Sequence, residues 1–162
     1  MGLASSCRCR GSALKDNERL KPEAVNIFSA ENTDGRIDVG HALGSTETLM
    51  FIYDLAPGQS SSPYHYEYDE EWLLVVDGTV VLRAPDGEHT LQRGDLVRFP
   101  AGPAGGHKVM NRSDAPARTL LFSHARGLAV SVYPDSDTIG VWPDDDTEYY
   151  FKRGTAIPRD VG

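Results

Sequence analysis

The sequence predicts an all-β domain, a small barrel or sandwich, on three observations. Strand-prone runs of about four to eight residues recur, with turn signals roughly every ten residues. No helical period of useful length interrupts them. An Asp77-Gly78 pair sits between EEWLLVV and TVVLR, a strong short-range hairpin signal.

The elements follow in order. Residues 1–23 are polar and basic, without a period, and read as a poorly ordered leader. VNIF (25–28) is a short apolar piece suited to a sheet edge. After the loop SAENTDGR a strand is expected near IDVGHAL (37–43). TETLMFIYDL (46–55) is rich in strand-favouring residues and ends at the turn APGQ. Beyond the Asp-Gly hairpin, APDGE turns the chain into HTLQ (89–92), and Arg93-Gly94-Asp95 leads into LVRFP. The loop AGPAGG leads into HKVMN (107–111), and RSDAPA turns into RTLLFSH (118–124). AVSVYP (129–134) and TIGVW (138–142) add short strands. The expected organisation is a leader (1–23), one β-barrel domain (24–142) and a polar C-terminal extension (143–162).

Composition narrows the function classes. A chain of 162 residues suits one domain with a real core. No apolar run approaches the roughly 18 residues of a membrane span, so no membrane partner is expected. Sixteen Lys plus Arg against 24 Asp plus Glu leave a net charge of -8, which argues against nucleic acid. Cys7 and Cys9 sit too close together for a disulfide, so a reduced, cytoplasmic protein is expected. MGLASS fits an N-myristoylation pattern at Gly2, with Cys7 or Cys9 as a second acyl site, but only in a eukaryotic context. No apolar segment precedes ASSC as a lipoprotein signal would require.

The chemistry concentrates in SPYHYEYDEEW (62–72), which feeds directly into LLVV. His65 and Glu67, two apart, share one face of an extended strand, and Glu71 retains that parity four residues on. His107 opens a later strand after a glycine-rich loop. Three or four N and O donors aimed inward at a barrel mouth are what a divalent metal needs. Imidazole with carboxylate suits Mn, Fe, Co, Ni or Zn, and the absence of thiolate argues against a structural zinc site.

The same residues carry a family resemblance. GQSSSPYHYEYDEEWLLVVDG, with Gly58, His65, Glu67, Glu71 and Gly78, resembles the first cupin motif. GDLVRFPAGPAGGHKVMN, with Gly94, Pro100, Gly102, His107 and Asn111, resembles the second. The resemblance implies a single cupin-type jelly-roll, or double-stranded β-helix, barrel. It also implies His65, Glu71 and His107 as metal ligands. Six residues rather than five separate Gly58 from His65, and the loop between Gly102 and His107 is two residues longer than the motif. Glu67 stands where the family has a second ligand histidine, so it is either a fourth ligand or a general base beside the metal.

The expected function is that of a metal-dependent enzyme on a small chelating substrate, of dioxygenase, oxalate-degrading, isomerase or lyase type. Its cofactor would be one divalent transition metal: Fe, Mn, Ni or Zn. Glu67, Tyr53 and Tyr66 are the candidate proton carriers, with Tyr64 a further pocket candidate. A non-catalytic binding module is the alternative, and a barrel with a vestigial site a third. A 2-oxoglutarate-type oxygenase is a further one, with His65, Glu67 and His107 as ligands and Arg118 holding the cosubstrate carboxylate. His41 and His124 either line the pocket or hydrogen-bond in the core. His89, Asp69 and Glu70 read as solvated, and Asp144, Asp145 and Asp146 as a solvated turn. A homodimer is implied by the resemblance, with the apolar edges of VNIF and AVSVYP free to pair with a second barrel.

Overall fold

Alternation along EEWLLVV explains why this run is almost continuously apolar. In the structure, a computed structural model, Leu73 and Val75 pack on one side of their sheet, while Leu74 and Val76 pack on the other. A strand buried on both faces loses the polar half of its pattern. Residues 19–20, 24–32, 34–124, 127–143 and 147–155 are described. Through them run β1 (Arg19–Leu20), β2 (Ala24–Val25), β3 (Arg36–Asp38), helix α1 (Val39–Ala42), β4 (Thr48–Leu55), β5 (Tyr66–Glu67) and β6 (Glu71–Asp77). There follow β7 (Thr79–Ala84), β8 (Gly87–Gln92), β9 (Leu96–Phe99), β10 (Lys108–Met110), β11 (Ala117–His124), β12 (Ala129–Tyr133), β13 (Thr138–Trp142) and β14 (Tyr149–Lys152).

One wall is a five-stranded antiparallel sheet in the order β3-β4-β11-β6-β9. The opposite wall comes in two pieces, β10-β7-β8 and β14-β13-β12-β5. The segment 58–65 joins them by running beside β10, and its last contact is an antiparallel bridge between His65 and His107. The two backbone bonds of that bridge measure 3.0 and 2.8 Å. The two histidines therefore meet at the seam of this wall.

Between the walls lie Leu55, Leu73, Val75, Val80, Leu82, Phe99, Val109, Ala117 and Leu121. Each such side chain contributes about 1.5–3 kcal/mol by leaving water. A second cluster, centred on Ile37, Val39, Ile52, Val76 and Leu120, covers the outer face of the five-stranded sheet. The β6–β7 turn needs Gly78 twice over. Its φ is +77°, and a Cβ there would lie 2.8 Å from the Pro116 carbonyl oxygen.

Several expectations change. The strand near 37–43 stops at Asp38, whose side chain accepts the His41 amide at 2.9 Å and caps α1. VNIF yields only the last residue of β2, because Asn26 then folds the chain into a turn by accepting the Phe28 and Ser29 amides. AVSVYP is no free edge, since β12 pairs with β13 on one side and β5 on the other. Part of the C-terminal extension belongs to the barrel wall, as β14 on the edge of β13. Of the leader, Arg19–Leu20 pair with β2, while Cys7, Cys9 and the Gly2 pattern lie outside the described residues, as do Asp144, Asp145 and Asp146. Among the described residues no helix is long and apolar enough to cross a membrane.

Candidate metal centre

Three elements deliver three donors to one point. His65 arrives on the segment before β5, Glu71 on the first residue of β6, and His107 on the residue before β10. Their ligand atoms all lie within 4.8 Å of one another, and all three side chains are buried. His107 Nε2 stands 3.6 Å from a Glu71 oxygen, a spacing that two ligands about 2.0–2.2 Å from a common ion can share.

Backbone carbonyls aim the imidazoles. His107 Nδ1 is 2.9 Å from the Gly105 carbonyl oxygen, and His65 Nδ1 is 3.0 Å from that of Pro63. A carbonyl only accepts, so each Nδ1 carries the proton and each Nε2 presents a lone pair to the site. Phe99 holds His107 flat, with ring centroids 3.8 Å apart and planes 7° apart. The loop before His107 folds so tightly that a Cβ on Gly105 would overlap the Pro100 carbonyl oxygen. That close approach fits a glycine-rich loop immediately before the ligand position.

Electrostatics favour a cation here. Burial, with the nearby Glu67 and Asp69 charges, pushes the Glu71 carboxyl well above the usual carboxylate range. Burial, reinforced by His65, lowers His107 to about 3 against the pull of the Gly105 carbonyl, so its imidazole is neutral. A buried carboxyl beside the neutral His107 imidazole and another acid gains most from a positive ion at the shared point. The donor set therefore fits a divalent transition metal.

Glu67 stands beside the three donors. Its Oε1 accepts the Ser131 hydroxyl at 2.6 Å and lies 3.9 Å from His65 Nε2. The β5–β12 register puts Ser131 directly opposite Glu67. Tyr133, on the same face of β12, stacks on His65 at 5.8 Å. Burial, with Tyr150 and Glu67 adding to it, raises the Tyr133 hydroxyl well above its ordinary value. Neither Ser131 nor Tyr133 was identified from the sequence. Alternation in AVSVYP puts both on one face, but nothing local says that this face meets Glu67.

The other candidates divide. Tyr53 packs on the inner side of β4, and burial raises its hydroxyl to about 12, with Arg36 pulling it down and Glu71 and Glu67 pushing it up. Tyr66 takes the opposite face of β5 from Glu67 and meets Tyr68 edge-on at 5.9 Å, so it turns away from the donors. Tyr64 lies under the Arg83 guanidinium, 4.1 Å from its ring centroid, outside the donor cluster. His41 on α1 and His124 at the end of β11 are exposed, so neither lines the pocket. His89 is exposed and pairs with Asp86. Glu70 is exposed and bonded to Arg98 and Trp72, whereas Asp69 is half-buried and adds to the field on Glu71.

Arg118 does not serve an oxygenase cosubstrate. Its guanidinium grips Asp54 at 2.6 and 2.7 Å and the Ile27 and Ala30 carbonyls at 3.1 and 2.9 Å. These bonds tie the N-terminal segment to the five-stranded sheet, away from the histidines. Asn111 is structural as well: its amide donates to the Leu55 and Ala115 carbonyls.

Comparison with known proteins agrees with this architecture. The Cupin domain family matches residues 51–123. A crystal structure of a sugar phosphate isomerase from a cupin superfamily, from Silicibacter pomeroyi, is 31% identical with a TM-score of 0.70. The alignment covers 78% of this chain and 82% of that one. The polyketide cyclase RemF from Streptomyces resistomycificus shares the fold at 16% identity and a TM-score of 0.53, over 64% of this chain and 80% of its own. Among curated proteins, the tetracenomycin polyketide synthase protein TcmJ from Streptomyces glaucescens is 27% identical over 80 residues, 49% of this chain. The chain spans about half the length of that relative, 52%. With the domain match covering all three converging donors and a cupin relative aligned along most of its length, the chain belongs to the cupin superfamily.

Proposed function

We propose that this cupin is a metal-dependent isomerase that moves a proton between adjacent carbons of a small hydroxy-carbonyl substrate. One observation carries the reading: two imidazoles, fixed through Nδ1 on backbone carbonyls, present their Nε2 atoms to the same point as a buried carboxylate. His65, Glu71 and His107 would hold Fe, Mn, Ni or Zn. The bound metal would supply Lewis-acid polarisation of a carbonyl oxygen. Support for isomerisation comes from the Silicibacter pomeroyi relative, named as a sugar phosphate isomerase at 31% identity.

The chain's own residues supply the rest. Glu67 would act as the general base, a reading supported by its carboxylate accepting the Ser131 hydroxyl and standing outside the three-donor group. It takes the proton from the carbon next to the carbonyl and returns it to the carbonyl carbon. The hydroxyl proton passes to the former carbonyl oxygen, so the reaction is redox-neutral and needs no co-reactant. Tyr133 and Phe99 flank the histidines and restrict water.

Elemental mass spectrometry on protein purified without a metal-binding tag tests the first half. Wild type should carry near-stoichiometric metal and His107→Ala none. A wild-type chain that holds no metal and takes none up sinks the proposal. Glu67→Gln tests the second half through deuterium uptake from solvent into aldose and ketose substrates. Retained metal with an exchange rate lowered about 10²–10⁴-fold identifies a base. Lost metal identifies a fourth ligand.

A further inference from the structure

The four arginines Arg83, Arg98, Arg112 and Arg118 each meet a carboxylate at 2.6 or 2.7 Å. Arg36 does not. Among the described residues no carboxylate lies within 4.0 Å of its guanidinium, although the chain carries a net charge of -8. Its neighbours lie on the inner face of the five-stranded sheet. The guanidinium carbon sits 4.7 Å from the Phe51 ring centroid, and β3 pairs Arg36 directly with Tyr53. Ile37, between Arg36 and Asp38, belongs to the outer cluster, so Arg36 takes the inner side by strand parity.

A second, independent observation lies two strands away, across Tyr53. Thr119 is the β11 residue paired with Tyr53, hence on the same inner face. It is fully buried, and its hydroxyl oxygen has no hydrogen-bond partner among the described residues. An unpartnered buried hydroxyl is uncommon, because leaving it unmet costs about 1–3 kcal/mol. Tyr53 adds a phenol that stays protonated, and so a donor, at neutral pH. Its hydroxyl senses both Glu71 and Glu67, which places this polar group within the field of the metal centre.

We infer that Arg36, with Tyr53, forms an oxyanion subsite that holds a phosphate or carboxylate group of the substrate while the hydroxy-carbonyl end lies at the metal centre. A guanidinium on an aromatic face, hydrogen-bonded to the Tyr53 hydroxyl, keeps further N–H donors that suit recognition of an oxyanion. Thr119 is the polar group that a bound anion or an accompanying water would satisfy. The inference rests on the isomerase reading above and gives it a substrate class: a small sugar or hydroxy-carbonyl compound bearing one anionic group. It also gives Tyr53 a binding role, in place of the proton-carrying role read from the sequence.

The test titrates inorganic phosphate and, separately, malonate into the full-length protein, both metal-free and loaded with Mn²⁺, by calorimetry. Wild type should bind one of the two, and Arg36→Gln should weaken that binding about tenfold or more while retaining its metal. Preference for phosphate identifies a phosphoester substrate, and preference for malonate a carboxylate. In the Mn²⁺ form the ³¹P line of bound phosphate should broaden, as expected for an anion near the metal. Should Arg36→Gln fail to fold, the Arg36 Nε–H resonance of the unaltered protein decides, since it should shift on anion addition. Failure of wild type to bind either anion, or equal binding by wild type and Arg36→Gln, overturns the inference. Loss of metal from wild type overturns the isomerase reading alone, and the metal-free titration still decides Arg36.

Discussion

The two ends of the barrel interior are built from the same strands to opposite purposes. On β6, Glu71 and Val75 share the inner face four residues apart. At the Glu71 end the neighbours are His65, His107, Glu67 and Ser123. At the Val75 end they are mainly apolar, Leu55, Val80, Leu82 and Ala117, with Thr119 opposite Val75 and Tyr53 and Arg36 beyond it in the same row. The apolar end holds the walls together, and the polar end relinquishes that packing to present donors. One strand therefore carries both folding energy and candidate chemistry, and the boundary between them falls at Leu73.

Substitutions at the two ends should separate these contributions. Leu73→Ala, at a 1% exposed position, should destabilise the protein by about 2–5 kcal/mol, read as a shift in the denaturant midpoint at constant slope. Metal content of the folded fraction should survive that change. Glu71→Leu should act in the opposite direction in metal-free protein. Removing a carboxyl that is 5% exposed should raise stability by about 1–3 kcal/mol while abolishing metal uptake. Equal destabilisation by both would mean that the two ends are not distinct.

Ser131→Ala removes the hydroxyl that aims Glu67 and should cost about 0.5–1.5 kcal/mol. Metal affinity should hold while solvent-proton exchange slows, which separates aiming from ligation. Arg112→Ala breaks an exposed bidentate pair with Glu88 and should leave the denaturant midpoint close to that of the wild type. It serves as the baseline for the other three.

Much of this was legible in the sequence. Turn residues such as Asp77-Gly78 and the strand-favouring composition of TLMFIYDL are local signals, and they predicted the barrel strands. The resemblance to the cupin motifs pointed to His65, Glu71 and His107, whose ligand atoms the fold brings within 4.8 Å of one another. Tyr53 packs on the inner side of the barrel, whereas Tyr66 does not, because a single residue of parity turns it to the other face of β5. His41 misled for a different reason: the Asp38 cap started a helix where a strand had been expected.

By itself, then, the sequence determined the strand rhythm and the buried β6, since each depends on neighbours a few residues away, and its resemblance to the cupin motifs pointed to His65, Glu71 and His107. Only the tertiary structure decided what stands across from them. It set the carbonyls of Pro63 and Gly105 behind the imidazoles, Ser131 against Glu67, and Arg118 into a link with Asp54 instead of the pocket. Arg36, between a turn and an apolar run, gave no sign until β3 paired it with Tyr53. Strand parity tells which residues share a face. Long-range register and closure of the two walls decide which face is inside, and those depend on pairings such as β5 with β12, 64 residues apart at Glu67 and Ser131.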